Sequence, residues 1–131
     1  MRAVDTNVVV RFLTGDDPDQ FALAMRLIQG TDIYVPMTVL LETEWVLRYF
    51  YGYSPSRVVE SLRDLASLES VTLENAESAA IAFKLTDDGV DFADALHLAR
   101  AGLCEDFVTF DPRLARRASD PELPSVTLLK D

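Results

Sequence analysis

The chain has 131 residues, 49% hydrophobic and 26% charged, which matches one soluble globular domain and excludes a disordered or fibrous chain. Its formal charge of -10, from 22 acids against 12 bases, excludes a protein that holds nucleic acid on a uniformly basic surface, although not one with a local basic track. Cys104 is the only cysteine and no apolar run suits a signal peptide or membrane span, so a reduced, cytoplasmic protein without an internal disulfide is expected, with Cys104 buried as a small thiol.

In chain order, a short strand at residues 3–4 ends on Asp5 and continues into Thr6, Asn7 and the apolar run Val8, Val9, Val10. After the turn Gly15-Asp16-Asp17-Pro18, a helical pattern covers residues 19–28 and a strand residues 33–35. Helical patterns at 38–51 and 55–68 lead to a strand at 71–73, and two more at 76–85 and 92–103 lead to a strand at 107–110. A second turn, Asp120-Pro121-Glu122-Leu123-Pro124, precedes the last strand at 126–129. Helices alternating with short β-branched runs imply βαβ units, a mostly parallel sheet and right-handed crossovers. No linker, repeat or low-complexity tract divides the chain, so residues 1–131 are expected to form a single domain.

In an open parallel sheet, ligands bind beyond the carboxyl ends of the strands. Asp5 stands at one strand end and Asp111, in "FVTFDPRLAR", at another. Taken singly, Asp111 before Pro112 reads as a helix N-cap. The helix "TVLLETEWVLRYFY" carries two glutamates with different neighbours. Glu44 has Arg48 four residues on and reads as half of a surface ion pair, whereas Glu42 lies beside the arc of Val39, Val46, Leu47 and Phe50 and is expected to face the sheet or a cleft. In "DFADALHLARAG", Asp91 reads as the N-cap and Asp94 shares its face, with small residues behind it that allow close approach to the sheet. His97 is the only histidine and reads as structural rather than as a ligand.

If Asp5, Glu42, Asp94 and Asp111 converge, each pair at about 4 Å repels by roughly 4 kcal/mol at an effective dielectric near 20. Protonation or a divalent cation must answer that cost. Carboxylates without a Cys or His set favour Mg²⁺ or Mn²⁺, and the chemistry that follows is metal-assisted phosphodiester hydrolysis. Ten of the 12 bases are arginine, and Arg113, Arg116 and Arg117 cluster where they read as a solvated helix face or as contacts to phosphate.

"VDTNVVVRFLTGDD", "VPMTVLLETEWVLR", "DFADALHLARA" and "FVTFD", in this order, resemble the PIN-domain ribonucleases, and among them the VapC toxins of type II toxin-antitoxin pairs. The resemblance implies a three-layer α/β fold, with a five-stranded sheet of order 3-2-1-4-5 between helices, and a cation held by an acidic quartet. Carried over by position, that quartet is Asp5, Glu42, Asp94 and Asp111, with Asn7 and Thr109 orienting carboxylates and water. Phe110 stands where relatives often have a polar residue. The resemblance further implies an RNA substrate, a homodimer, and a cognate antitoxin that lays a peptide over the aromatic stretch "WVLRYFYGY" and seats a basic residue in the acidic site.

A haloacid-dehalogenase-type phosphohydrolase needs a second acid where Asn7 stands, and a response-regulator receiver needs a phosphoacceptor where Leu73-Glu74-Asn75 offers none. The remaining alternatives are a catalytically silent PIN-like scaffold for RNA or protein, and a free-standing RNA-processing nuclease.

Overall fold

The computed structural model describes residues 1–118 and 120–131, which fall into two compact units, Met1–Ala76 and Glu77–Asp131. The architecture is mixed α/β with parallel strands, as expected, but among the described residues the strands pair as one three-stranded and one two-stranded sheet rather than as the expected five-stranded one.

The first unit runs β1 (Arg2–Ala3), α1 (Thr6–Thr14), α2 (Pro18–Gly30), β2 (Ile33–Val35), α3 (Met37–Tyr49), α4 (Pro55–Ser67) and β3 (Val71–Leu73). Its strands lie in the order β1-β2-β3, with Arg2 opposite Ile33 and Ile33 opposite Val71. Ile33 and Val35 of the central strand pack with Leu40, Leu47, Val58 and Leu62 as its buried core. The sequence reading places no helix on α1, because three consecutive valines suit a strand equally well. Two caps decide the matter. The Asp5 side chain accepts the Thr6 N–H at one end, and Gly15 takes the left-handed conformation, φ +63°, at the other, returning its N–H to the Arg11 carbonyl. Thr6, Val9 and Val10 then share one buried face.

α3 turns differently from the expected wheel. Its buried residues are Leu40, Thr43, Glu44 and Leu47, spaced i, i+3, i+4, i+7, whereas Phe50 of the expected arc is 73% exposed. Glu44, read as a surface acid, is 3% exposed, and Glu42, read as facing inward, is exposed. Burial of Glu44 is tolerated because Arg48, one turn on, donates to both of its oxygens, at 2.7 and 3.3 Å.

The second unit contains α5 (Ala76–Asp87), α6 (Phe92–Ala99), β4 (Asp106–Thr109), α7 (Pro112–Arg117) and β5 (Ser125–Leu128). β4 and β5 pair in parallel, Asp106 opposite Ser125. Phe83 and Phe92 stack at 6.0 Å within a core of small and aliphatic residues from α5 and α6. α6 ends at Ala99, short of the expected residue 103, because residues 100–104 turn tightly, with Ala101 bonding the Leu98 carbonyl and Cys104 that of Ala101. Cys104 on this turn is exposed, against the expected buried thiol. Among the described residues no helix is long and apolar enough to cross a membrane.

Candidate functional site

In the first unit, Asp5 caps α1 as β1 ends, and its Oδ1 accepts the Thr6 N–H at 2.8 Å. Thr6 is only 4% exposed, and its hydroxyl donates to Oε1 of Glu42 on α3. One residue thus ties together the two acids expected at the site, both of which are exposed. Thr6 was not among the expected site residues. The available signal was its place: a hydroxyl in the first helical position has no carbonyl four residues back within its own helix, so it is free to bond elsewhere. Asn7 is exposed and lines a groove with Val8, Arg11, Gln20 and Leu23.

In the second unit, Asp94 and Asp111 line one cavity of about 320 Å³ together with Asp91, Arg113, Leu114 and Arg117. Asp91 caps α6, its side chain accepting the Asp94 N–H at 3.4 Å, as the sequence suggests. Asp111 caps α7, accepting the Arg113 N–H at 2.9 Å, while Thr109 fixes the turn by accepting the Asp111 N–H on its hydroxyl at 3.0 Å. Partial burial holds the Asp94 carboxyl above the ordinary Asp range. The negative charge of Asp91 pushes it further, His97 opposes, and Asp111 adds to the rise. Of the arginines, Arg117 donates to the Gly89 carbonyl at 3.1 Å, where φ is +97° and a side chain would press against the guanidinium. Arg113 reaches Asp111 only at 3.8 Å and stays mostly in solvent.

The structure therefore brings Asp5 to Glu42 and Asp94 to Asp111, each pair inside its own unit. Among the described residues no three Asp, Glu, His or Cys side chains gather as a metal cage. A single sequence model nevertheless spans both units: the PIN domain matches residues 2–120. The chain belongs to the PIN-domain family. PIN domains are in general nucleases. No curated protein matches the sequence. Among solved structures it is similar to the crystal structure of VapBC2 from Rickettsia felis bound to a DNA fragment from their promoter, at 14% identity over 97% of each chain and a TM-score of 0.39, an overlap too loose to add to the family assignment.

The donor chemistry of this PIN domain fits a hard cation. Both pairs offer carboxylate oxygens alone, the exposed His97 lies one turn from Asp94, and the Asp94 carboxyl, raised first by burial and then by the charge of Asp91, is one that a divalent ion would favour in its charged form.

Proposed function

We propose that this PIN domain is a Mg²⁺- or Mn²⁺-dependent endoribonuclease of the VapC toxin kind, working as a homodimer and restrained by a cognate antitoxin. The observation that carries the reading is the cavity that Asp94, its carboxyl raised, and Asp111 line together with two arginines, acid for a cation beside base for a phosphate. Asp5, Glu42, Asp94 and Asp111 are assigned to hold the metal, directly or through water. When bound, the metal lowers the pKa of a water and offsets charge developing on the phosphoryl oxygens.

The chain's own residues do the rest. Thr109 and the α7 cap fix Asp111, the α6 N-terminus holds Asp94 in the first turn, and exposed Arg113 is available to clamp an RNA phosphate. Cleavage of mixed RNA by the purified protein tests the reading: activity should require Mg²⁺ or Mn²⁺, vanish with EDTA and return on adding metal. Cleavage that survives EDTA contradicts it. Absence of cleavage under all conditions favours the scaffold reading.

The antitoxin half rests on a second region. Trp45, Tyr49 and Phe50 are exposed, and the Trp45 ring contacts the other two, lying 5.2 Å from Tyr49 and 5.4 Å from Phe50. An apolar patch on a chain of charge -10 suits a basic, partly apolar peptide. Tyr51 and Tyr53 are engaged otherwise: Tyr51 with Arg11 and Asp16, Tyr53 under the Arg57 guanidinium at 3.7 Å. The antitoxin should inhibit cleavage, and Trp45→Ala or Tyr49→Ala should weaken inhibition while leaving the melting temperature near wild type. Inhibition unchanged in both variants would leave a free-standing RNA-processing nuclease as the better account.

A further inference from the structure

Three of the chain's helical threonines make unlike use of their hydroxyls. Thr14 donates to the Val10 carbonyl and Thr86 to the Ala82 carbonyl, both at 2.8 Å, the ordinary bond of a threonine inside a helix. Thr6 is in the first turn, where no such carbonyl exists within the helix, and donates across to Glu42 Oε1. Its backbone N–H meanwhile holds Asp5 Oδ1. One oxygen of each carboxylate thus has a bonding partner, and among the described residues Asp5 Oδ2 and Glu42 Oε2 carry no such bond.

We propose that Thr6 is the positioning residue for Asp5 and Glu42, orienting both carboxylates before any cation arrives. The inference deepens the nuclease reading and rests on it. Three features favour positioning over mere packing. Thr6 is almost wholly buried, on the same buried face of α1 as Val9 and Val10, and its β-branched side chain has few rotamers to choose from. Glu42, by contrast, is exposed, and an exposed glutamate has several rotamers to lose; the Thr6 hydroxyl selects among them. The bond also crosses between two helices, α1 and α3, so it sets the reach of Glu42 toward the end of β1 rather than stabilising either helix alone. Partners of metal-binding carboxylates that lie outside the ligand shell act in this way, and their loss weakens binding without removing a ligand.

The test is calorimetric titration of metal-free protein with Mn²⁺, in the absence of RNA, on wild type, Thr6→Val, Thr6→Ser, Glu42→Gln and the double variant Thr6→Val/Glu42→Gln. Thr6→Val keeps the branched shape and the N–H to Asp5 but removes the hydroxyl, and should lower Mn²⁺ affinity by about 10- to 100-fold. Thr6→Ser keeps the hydroxyl and should restore affinity close to wild type. In the Glu42→Gln background, Thr6→Val should cost much less than it does alone, because the group it positions is already altered. A merely structural threonine would lower the melting temperature in both backgrounds and leave Mn²⁺ affinity in step with folding. If Thr6→Val does not fold, Thr6→Ala against Thr6→Ser gives the same contrast without added bulk. Wild-type affinity in the hydroxyl-less variant, or no rescue by serine, overturns the positioning role alone. Wild type that binds no Mn²⁺ overturns the metal reading, and the positioning role with it.

Discussion

The two units hold their acids by opposite means. In the first, Asp5 and Glu42 are joined by hydrogen bonds through a buried threonine, and each keeps one oxygen clear of that bonding. In the second, Asp94 and Asp111 share a cavity with Asp91, and the result is a carboxyl raised above its ordinary range by burial and by its neighbours. Asp5 and Glu42 share one bonding partner, whereas Asp94 carries an electrostatic cost. Acids held by a shared partner should lose geometry when that partner is removed; an acid whose charge the fold disfavours should lose its function when the charge is removed and gain stability in exchange.

The largest expected effect removes the Asp94 charge. Asp94→Asn should lower RNA cleavage by about 100-fold or more while raising the melting temperature of metal-free protein, because the substitution removes a charge that the fold disfavours. A variant that cleaves normally, or that melts well below wild type, would show Asp94 to be structural.

The second effect lies on α3, where two glutamates two residues apart differ in environment. Glu44 is buried with Arg48, so Glu44→Gln should cost about 3 kcal/mol, the low end for a broken buried pair because Arg48 keeps some contact with water. Glu42→Gln should cost activity and little stability. Denaturant melts of both variants separate them, and equal stability losses would contradict the assignment.

Next in size is Thr43, fully buried between those glutamates, whose hydroxyl has no hydrogen-bond partner among the described residues. Thr43→Val keeps the shape and removes the orphaned group, so it should stabilise the protein by about 1 kcal/mol, read as a higher denaturation midpoint. Destabilisation would mean the hydroxyl has a partner.

The smallest effect concerns acid. Asp16 sits below the ordinary Asp range, first because Tyr51 donates its phenol hydroxyl at 2.6 Å, with Thr14 and Arg11 contributing. The unfolded chain therefore binds a proton at Asp16 more readily than the folded one. The stabilisation is complete above the ordinary Asp value and is lost as pH falls through the lowered one. Asp16→Asn should flatten the acid limb of the stability curve, and an unchanged limb would dissociate this network from acid sensitivity.

Much of this was readable from residues alone. β2 and β3 fall where their β-branched runs predict them, whereas the expected single sheet of order 3-2-1-4-5 is seen as two smaller sheets, β1-β2-β3 and β4-β5. The four acids stand at a strand end, on α3, in the first turn of α6 and at the cap of α7 because caps and helix starts have local signatures. What was not legible depends on partners distant in sequence or on a rotation of one helix. The Val8-Val9-Val10 run fits strand and helix alike until its caps are seen. α3 buries Glu44 because Arg48 neutralises it, and a wheel drawn on hydrophobicity alone turns the helix toward Phe50 instead. Thr6 bonds Glu42 across 36 residues, a separation no local pattern reports.

The central proposal is that Asp5 and Asp94 serve one metal-dependent reaction. The most direct test compares RNA cleavage, with saturating Mn²⁺, by Asp5→Asn, Asp94→Asn and the double variant. Residues that act as one catalytic group are strongly non-additive, so the double variant should be scarcely slower than the slower single one. Full additivity of the two losses, or a single variant retaining wild-type cleavage, would contradict the claim.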